Sequence, residues 1–129
     1  MSFRLRAEAQ QNLRQSGFDL SAEEWALMMV LWKKGPTPMA QLAEITLRDR
    51  TTVTRLVDRL IVKKLVQRGS VKPDRRKVII SVTAKGDNIK PAVMAAMLPL
   101  IKKSNAGISE PELAQAMDVL MRMAKNLDA

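Results

Sequence analysis

Apolar residues recur along the chain at two distinct periods. Leu5, Ala9 and Leu13 fall four apart, which predicts a helix over 3–15 with one apolar stripe. Gly17 interrupts it. Ser21-Ala22-Glu23-Glu24 has the spacing of a capping box, with Leu20 and Trp25 placed to staple the entry. A helix over 22–34 follows, burying Trp25, Met28, Met29 and Trp32, and Gly35-Pro36 stops it. Thr37-Pro38 reads as the N-cap and first residue of a short helix, 38–46, with Leu42, Ala43 and Ile45 inward. After a tight connection, Leu47-Arg48-Asp49, a third helix spans about 50–64. Its inward face is Val53, Leu56, Val57, Leu60 and Ile61.

The period then shortens to two. Leu65–Arg68 and Lys77–Thr83 read as strands, the second with Val78, Ile80 and Val82 on one face. Gly69 to Arg76 joins them with Gly and Pro turn signals. Helical spacing returns after Thr83, a fitting N-cap, and runs to about Lys103, bent or interrupted at Pro91 and Pro99. Asn105-Ala106-Gly107 turns the chain. Ser109-Glu110-Pro111-Glu112 is a second capping box, with Ile108 and Leu113 as its staple. The last helix carries a stripe of Leu113, Ala116, Met117, Leu120, Met121, Ala124 and Leu127. No internal repeat or low-complexity segment appears. The fold expected is mainly α with a small β-hairpin.

Charge singles out one part of this pattern. Of the chain's net +9, Arg48 to Lys77 alone carries eleven Lys/Arg against three Asp/Glu. A positive field built by one contiguous segment is the footprint of a nucleic-acid-binding element. The outward face of helix 50–64 offers Thr51, Thr52, Thr54, Arg55, Asp58, Arg59 and Lys63, with Arg50 at its start. Hydroxyls and guanidiniums on a helix suit the edges of bases in a major groove, which admits a helix. The Lys72-Pro73-Asp74-Arg75-Arg76 loop is too short to pack by itself and suits insertion of an arginine into a minor groove. Phe3, Phe18, Trp25 and Trp32 are the only aromatics, and none lies in the basic segment. That favours duplex DNA over single strands, whose bases stack on aromatic platforms.

Other chemistry is excluded by composition. The chain has no Cys and no His, and its acids are scattered. Disulfides, thiolate nucleophiles, Cys/His metal sites and histidine bases are therefore out, and neither an enzyme nor a cofactor is expected. The N-terminal stretch has no long apolar run, so neither a signal peptide nor a membrane span is expected, and a cytoplasmic location is the default.

Two short helices joined by a tight turn, then a hairpin, make a winged helix-turn-helix. TTVTRLVDRLIVKKLVQR followed by PDRRKVIISVTAKG resembles the multiple-antibiotic-resistance regulator (MarR) family of bacterial transcription factors. The likeness extends upstream through LSAEEWALMMVLWKKGPTPMAQLAEITL and downstream through MLPLI and GISEPEL. Asp-Arg-Arg followed by Val-Thr-x-x-Gly is its most specific part.

The resemblance implies a single unit over 1–129, with the winged helix-turn-helix at 20–86. Helices within 1–16 and 87–129 would form a homodimer. Members of the family repress promoters, and many release DNA on binding a small aromatic or amphipathic effector. Carried over by position, Thr51, Thr52, Thr54 and Arg55 fall on the recognition helix and Arg75 and Arg76 at the wing tip. Asp74 braces the wing by pairing with an arginine. An effector pocket would involve Trp25, Met28, Met29, Trp32 and Met94, although flexible core filling is the commoner use of methionine.

The sequence departs from the family at the helix-turn-helix turn, where Leu47 stands at a common glycine position. A different turn, with a longer preceding helix, is expected there. The apolar stripes of 3–15, 84–103 and 110–127 make no compact bundle with a small winged domain, and a symmetric dimer would cover them. A winged-helix module that docks proteins rather than DNA is the competing reading.

Overall fold

The computed structural model describes residues 3–70 and 77–128. In chain order they form α1 (Phe3–Gln15), α2 (Ala22–Lys34), β1 (Thr37–Pro38), α3 (Met39–Thr46), α4 (Arg50–Val62), β2 (Val66–Ser70), β3 (Val78–Val82), α5 (Ala84–Ser104) and α6 (Glu110–Asp128).

The helix starts follow from side chains that satisfy orphan backbone N–H groups. Ser21 Oγ accepts from Glu24 N–H at 3.0 Å, and Glu24 Oε1 accepts from Ser21 N–H at 3.1 Å, closing the capping box at α2. The second box does the same at α6, where Ser109 N–H donates to Glu112 Oε1 at 2.9 Å. At α5, Thr83 Oγ1 accepts from Gly86 N–H at 3.1 Å. One core gathers Leu13 of α1, Leu27, Met28 and Leu31 of α2, and Leu42 of α3. It continues through Val53, Leu56, Val57 and Leu60 of α4, Ile80 of β3, and Val93, Met97 and Leu100 of α5.

Three local features differ from the sequence expectation. Thr37-Pro38 is not a helix start but a third strand. The sheet is antiparallel in the order β1-β3-β2, with Thr37 opposite Ile80 and Arg68 opposite Ile80 on the other side. Thr37 is buried, and its hydroxyl donates to the Gly35 carbonyl at 2.8 Å instead of capping α3. Two residues carry no periodicity, so nothing in the pattern announces the strand. Second, α5 runs unbroken through Pro91 and Pro99. Both prolines lie on its exposed side, and burial of Val93, Met97 and Leu100 holds the opposite face. Third, α4 ends at Val62 because Lys64 adopts a left-handed conformation, φ 63°.

The helix-turn-helix turn also corrects an expectation. Leu47 does not redirect the turn. It takes the left-handed conformation itself, φ 56° and ψ 38°, directly after Thr46. Backbone bonds close the turn, with Arg48 N–H donating to Ala43 O at 3.1 Å. A left-handed leucine costs about 1–2 kcal/mol, and glycine's greater freedom when unfolded returns about 0.5–1 kcal/mol. Leu47→Gly is therefore expected to stabilise the chain by about 0.5–1 kcal/mol. A melting temperature below that of the parent protein would show that the Leu47 side chain makes contacts worth more than the strain.

The terminal helices behave differently from one another. Ala9 and Leu13 of α1 are buried within the chain, among the core residues that α2 and α5 also supply. On α6 the stripe stays open, with Met117 51% and Leu120 49% exposed.

Candidate nucleic-acid interface

The alternation of core and surface along α4 decides what the helix presents. Val53, Leu56, Val57 and Leu60 point inward, which leaves Arg50, Thr51, Thr54, Arg55 and Arg59 exposed and Thr52 half-buried. Arg50, Thr51, Thr54, Arg55 and Asp58 line a shallow depression of about 410 Å³. Among the described residues, Arg50, Arg55 and Arg59 pair with no carboxylate. Their guanidinium forks are available to an outside acceptor.

The helix is fixed at both ends. Asp49 is its N-cap, with Oδ2 accepting from Thr52 N–H at 3.1 Å and Oδ1 accepting from the Thr52 hydroxyl at 2.6 Å. These bonds, the side-chain one first, hold the Asp49 carboxyl below its ordinary value of 3.8. The cap is therefore charged at neutral pH, and its contribution is present above the ordinary value of 3.8 and lost as pH falls from there through the lowered folded value. Thr52 thus spends its hydroxyl on the cap.

Lys63 stands apart from the other candidates. Its ammonium turns inward to Glu24, at 3.0 Å from Oε1 and 2.8 Å from Oε2, and to the Asp19 carbonyl at 2.7 Å. With its donors engaged inside the protein, Lys63 is not placed to hold a phosphate. The expectation set Lys63 among the interface residues, whereas the structure directs its ammonium to Glu24 and Asp19. Helix-face geometry groups Lys63 with Arg59 and cannot see an acid 39 positions upstream.

Asp58 pairs with Arg68, joining α4 to β2. That brace between helix and wing strand was not anticipated. Its only trace in the sequence is a pair of opposite charges flanking the helix–strand connection. Asp74, Arg75 and Arg76 lie outside the described residues.

The five candidates for an effector pocket are dispersed in depth. Met28 is fully buried and Trp25 nearly so, Met29 and Trp32 are partly buried against the core, and Met94 is at the surface. Trp25 Nε1, Trp32 Nε1 and Arg6 Nε are buried donors with no hydrogen-bond partner among the described residues. The larger cleft, about 1000 Å³, lies between the helix-turn-helix and α6 and is lined by Ala43, Leu47, Arg48, Met121, Ala124 and Leu127 among others. None of the five candidates lines it. Among the described residues no acidic cluster could hold a metal ion, and no helix is long and apolar enough to cross a membrane.

A helix with free guanidiniums, seated on a three-helix core and braced to a hairpin, defines a winged helix-turn-helix of the kind that binds DNA. Comparison with known proteins gives the same class. The MarR family model matches residues 20–78. The HTH-type transcriptional regulator YhbI of Bacillus subtilis is 30% identical over 112 residues, 85% of this chain and 69% of the relative. The HTH-type transcriptional repressor NicR of Pseudomonas putida is 28% identical over 111 residues, 85% of this chain and 68% of the relative. A crystal structure of a MarR mutant from E. coli complexed with operator DNA superposes with a TM-score of 0.70 at 20% identity, covering 93% of this chain and 88% of that one. The chain belongs to the MarR family of transcriptional regulators, which are not enzymes.

Proposed function

We propose that this regulator is a dimeric repressor that reads a pseudo-palindromic operator. The observation that carries the reading is the face of α4, where Arg50, Arg55 and Arg59 are exposed beside Thr51 and Thr54 and pair with no carboxylate among the described residues. On this reading α4 lies in the major groove, with its central residues on base edges. Arg75 and Arg76 reach the adjacent minor groove, and Asp74 steadies them. NicR is named a repressor, and the E. coli MarR mutant was solved on operator DNA. Both support this role.

Dimerisation is supported by α6. A stripe that includes Met117, Leu120, Met123 and Leu127 is exposed in the single chain. A second copy would cover it and set two recognition helices about 34 Å apart, one turn of duplex. The regulator works in the cytoplasm, where its operator is. A small aromatic effector carrying a hydrogen-bond acceptor would release it. The buried Nε1 groups of Trp25 and Trp32 and Nε of Arg6, without a partner among the described residues, support such a ligand, because buried donors are rarely left unsatisfied.

Selection of bound duplexes from a random library, with and without aromatic acids, tests the whole reading. An inverted repeat is expected, along with a solution mass twice the 14.4 kDa of the chain. Affinity should fall steeply with salt as several phosphates are neutralised. Met117→Glu should yield monomers and cost at least about tenfold in operator affinity, since one half-site is then bound alone. No enrichment of any sequence would reject the operator reading and leave the protein-docking module.

A further inference from the structure

Glu24 is the deepest acid among the described residues, only 2% exposed. A carboxylate taken out of water is costly unless each oxygen is satisfied. Here both are: Oε1 accepts from Ser21 N–H and Lys63, and Oε2 accepts from Lys63. Lys63 is in turn fully engaged, since Asp19 O takes a further bond. The Lys63 side chain is partly exposed, but its ammonium is directed at these protein acceptors.

The location of this pair matters more than its charge. Lys63 is the C-cap of α4, the helix that faces DNA. Its carbonyl accepts from Lys85 at 3.1 Å, and the next carbonyl, Lys64 O, accepts from the Thr83 hydroxyl at 2.6 Å. The C-terminal end of α4 is thus tied to the first turn of α2 on one side and to the first turn of α5 on the other. The first turn of α2 also receives α1. Ala22 N–H donates to Gln10 Oε1 at 3.0 Å, and Glu23 pairs with Arg6 at 3.3 Å. Glu23 also reaches Arg48 in the helix-turn-helix turn, at 3.8 Å. Two adjacent acids of α2 therefore hold both ends of the recognition segment and link them to α1.

We propose that Glu24 and Lys63 form a positioning pair: they set the pose of α4 for operator recognition and couple it to the seating of α1. This rests on the operator reading above. It has a counter-intuitive consequence. Glu24 is an acid in a protein that binds a polyanion, so electrostatics alone predicts that its removal strengthens DNA binding. A positioning role predicts the reverse for the correct sequence.

The test measures affinity for the selected operator and for a scrambled duplex over a range of salt, for the full chain and its variants. Glu24→Gln is expected to weaken operator binding about tenfold, within the range seen for mutations along coupled networks. Scrambled-duplex affinity should be unchanged or slightly higher. Lys63→Met should lose operator preference to the same degree with the salt slope unchanged. Lys63→Arg, which keeps the charge and can still reach the carboxylate, should restore most of it.

Operator binding by Glu24→Gln equal to or tighter than that of the parent would overturn the proposal. So would a salt slope lowered by about one in Lys63→Met with preference intact, the mark of a phosphate contact. If single variants unfold, the double variant Glu24→Met with Lys63→Met replaces the pair by apolar groups, an exchange that often preserves stability. It should melt at or above the parent temperature yet discriminate poorly, and full discrimination would sink the idea. Amide exchange of the free protein separates this proposal from the operator reading. In Glu24→Gln, the first turn of α2 and residues 63–65 should lose protection together. Unchanged protection there would reject the pair even if the parent protein selects an operator. A parent protein without operator preference removes both.

Discussion

Arg55→Ala is expected to cut affinity for the selected operator about 10- to 100-fold, the worth of a bidentate contact to a guanine edge. Affinity for scrambled duplex should change only a few-fold. The expectation comes from position. Arg55 lies in the middle of α4, exposed, between the inward-facing Val53 and Leu56, and no carboxylate within the described residues holds its guanidinium. Arg59 is one turn further toward the C-terminal end, where a recognition helix rises away from the bases toward phosphate. Arg55→Lys should restore the charge but not the preference, because an ammonium lacks the planar fork. Titration against the operator and its single-base variants checks this. A uniform loss on every duplex, with the salt slope reduced by about one, would make Arg55 a phosphate contact instead.

The split between readable and unreadable features follows the range of the interactions. The starts of α2 and α6 were legible because Ser21 with Glu24 and Ser109 with Glu112 act over three positions. The inward face of α4 was legible because Val53, Leu56, Val57 and Leu60 repeat at helical spacing. The left-handed Leu47 and Lys64 were not, because the usual local signal for that conformation is glycine and neither site has it. Partner choice was least legible. Lys63 and Arg59 look alike on a helix face, yet one binds Glu24 and the other pairs with no carboxylate among the described residues. Nothing within a turn of either residue distinguishes them. The same blindness hid the Asp58–Arg68 brace.

These long-range ties give the domain a consistent mechanical layout. On the operator reading, contacts to DNA belong to the outward arginines and threonines of α4. The described acids inside the basic segment are spent on geometry, Asp49 on the cap and Asp58 on the wing. Outside it, Glu24 holds the far end of the helix. A charge count over 48–77 therefore understates how much of the positive face is free, since its described acids are engaged locally. It also overstates it at Lys63 and Arg68, whose charges are already answered.

Gly86→Ala is expected to destabilise the protein by about 1–3 kcal/mol, toward the upper end, although it sits inside a helix. In an ordinary helix the same change gains about 1 kcal/mol. The sign reverses because of what Gly86 touches. It lies in the first turn of α5, buried, where an added Cβ would overlap the Leu65 carbonyl oxygen and the Val82 side chain. A flexible side chain could move aside, but the carbonyl cannot do so freely. Leu65 O already accepts from Thr83 N–H at 3.0 Å, and the Thr83 hydroxyl bonds Lys64 O. Relief would have to come from sliding α5 away from the α4–β2 connection. That motion would pull on the junction where the recognition helix, the wing and α5 meet. A fall in melting temperature of roughly 10 °C is the expected result, at a few degrees per kcal/mol for a domain of this size. Operator preference should weaken alongside it in the fraction that stays folded. A melting temperature at or above that of the parent protein would show that α5 is not held at this contact, and that glycine here serves the helix rather than the junction.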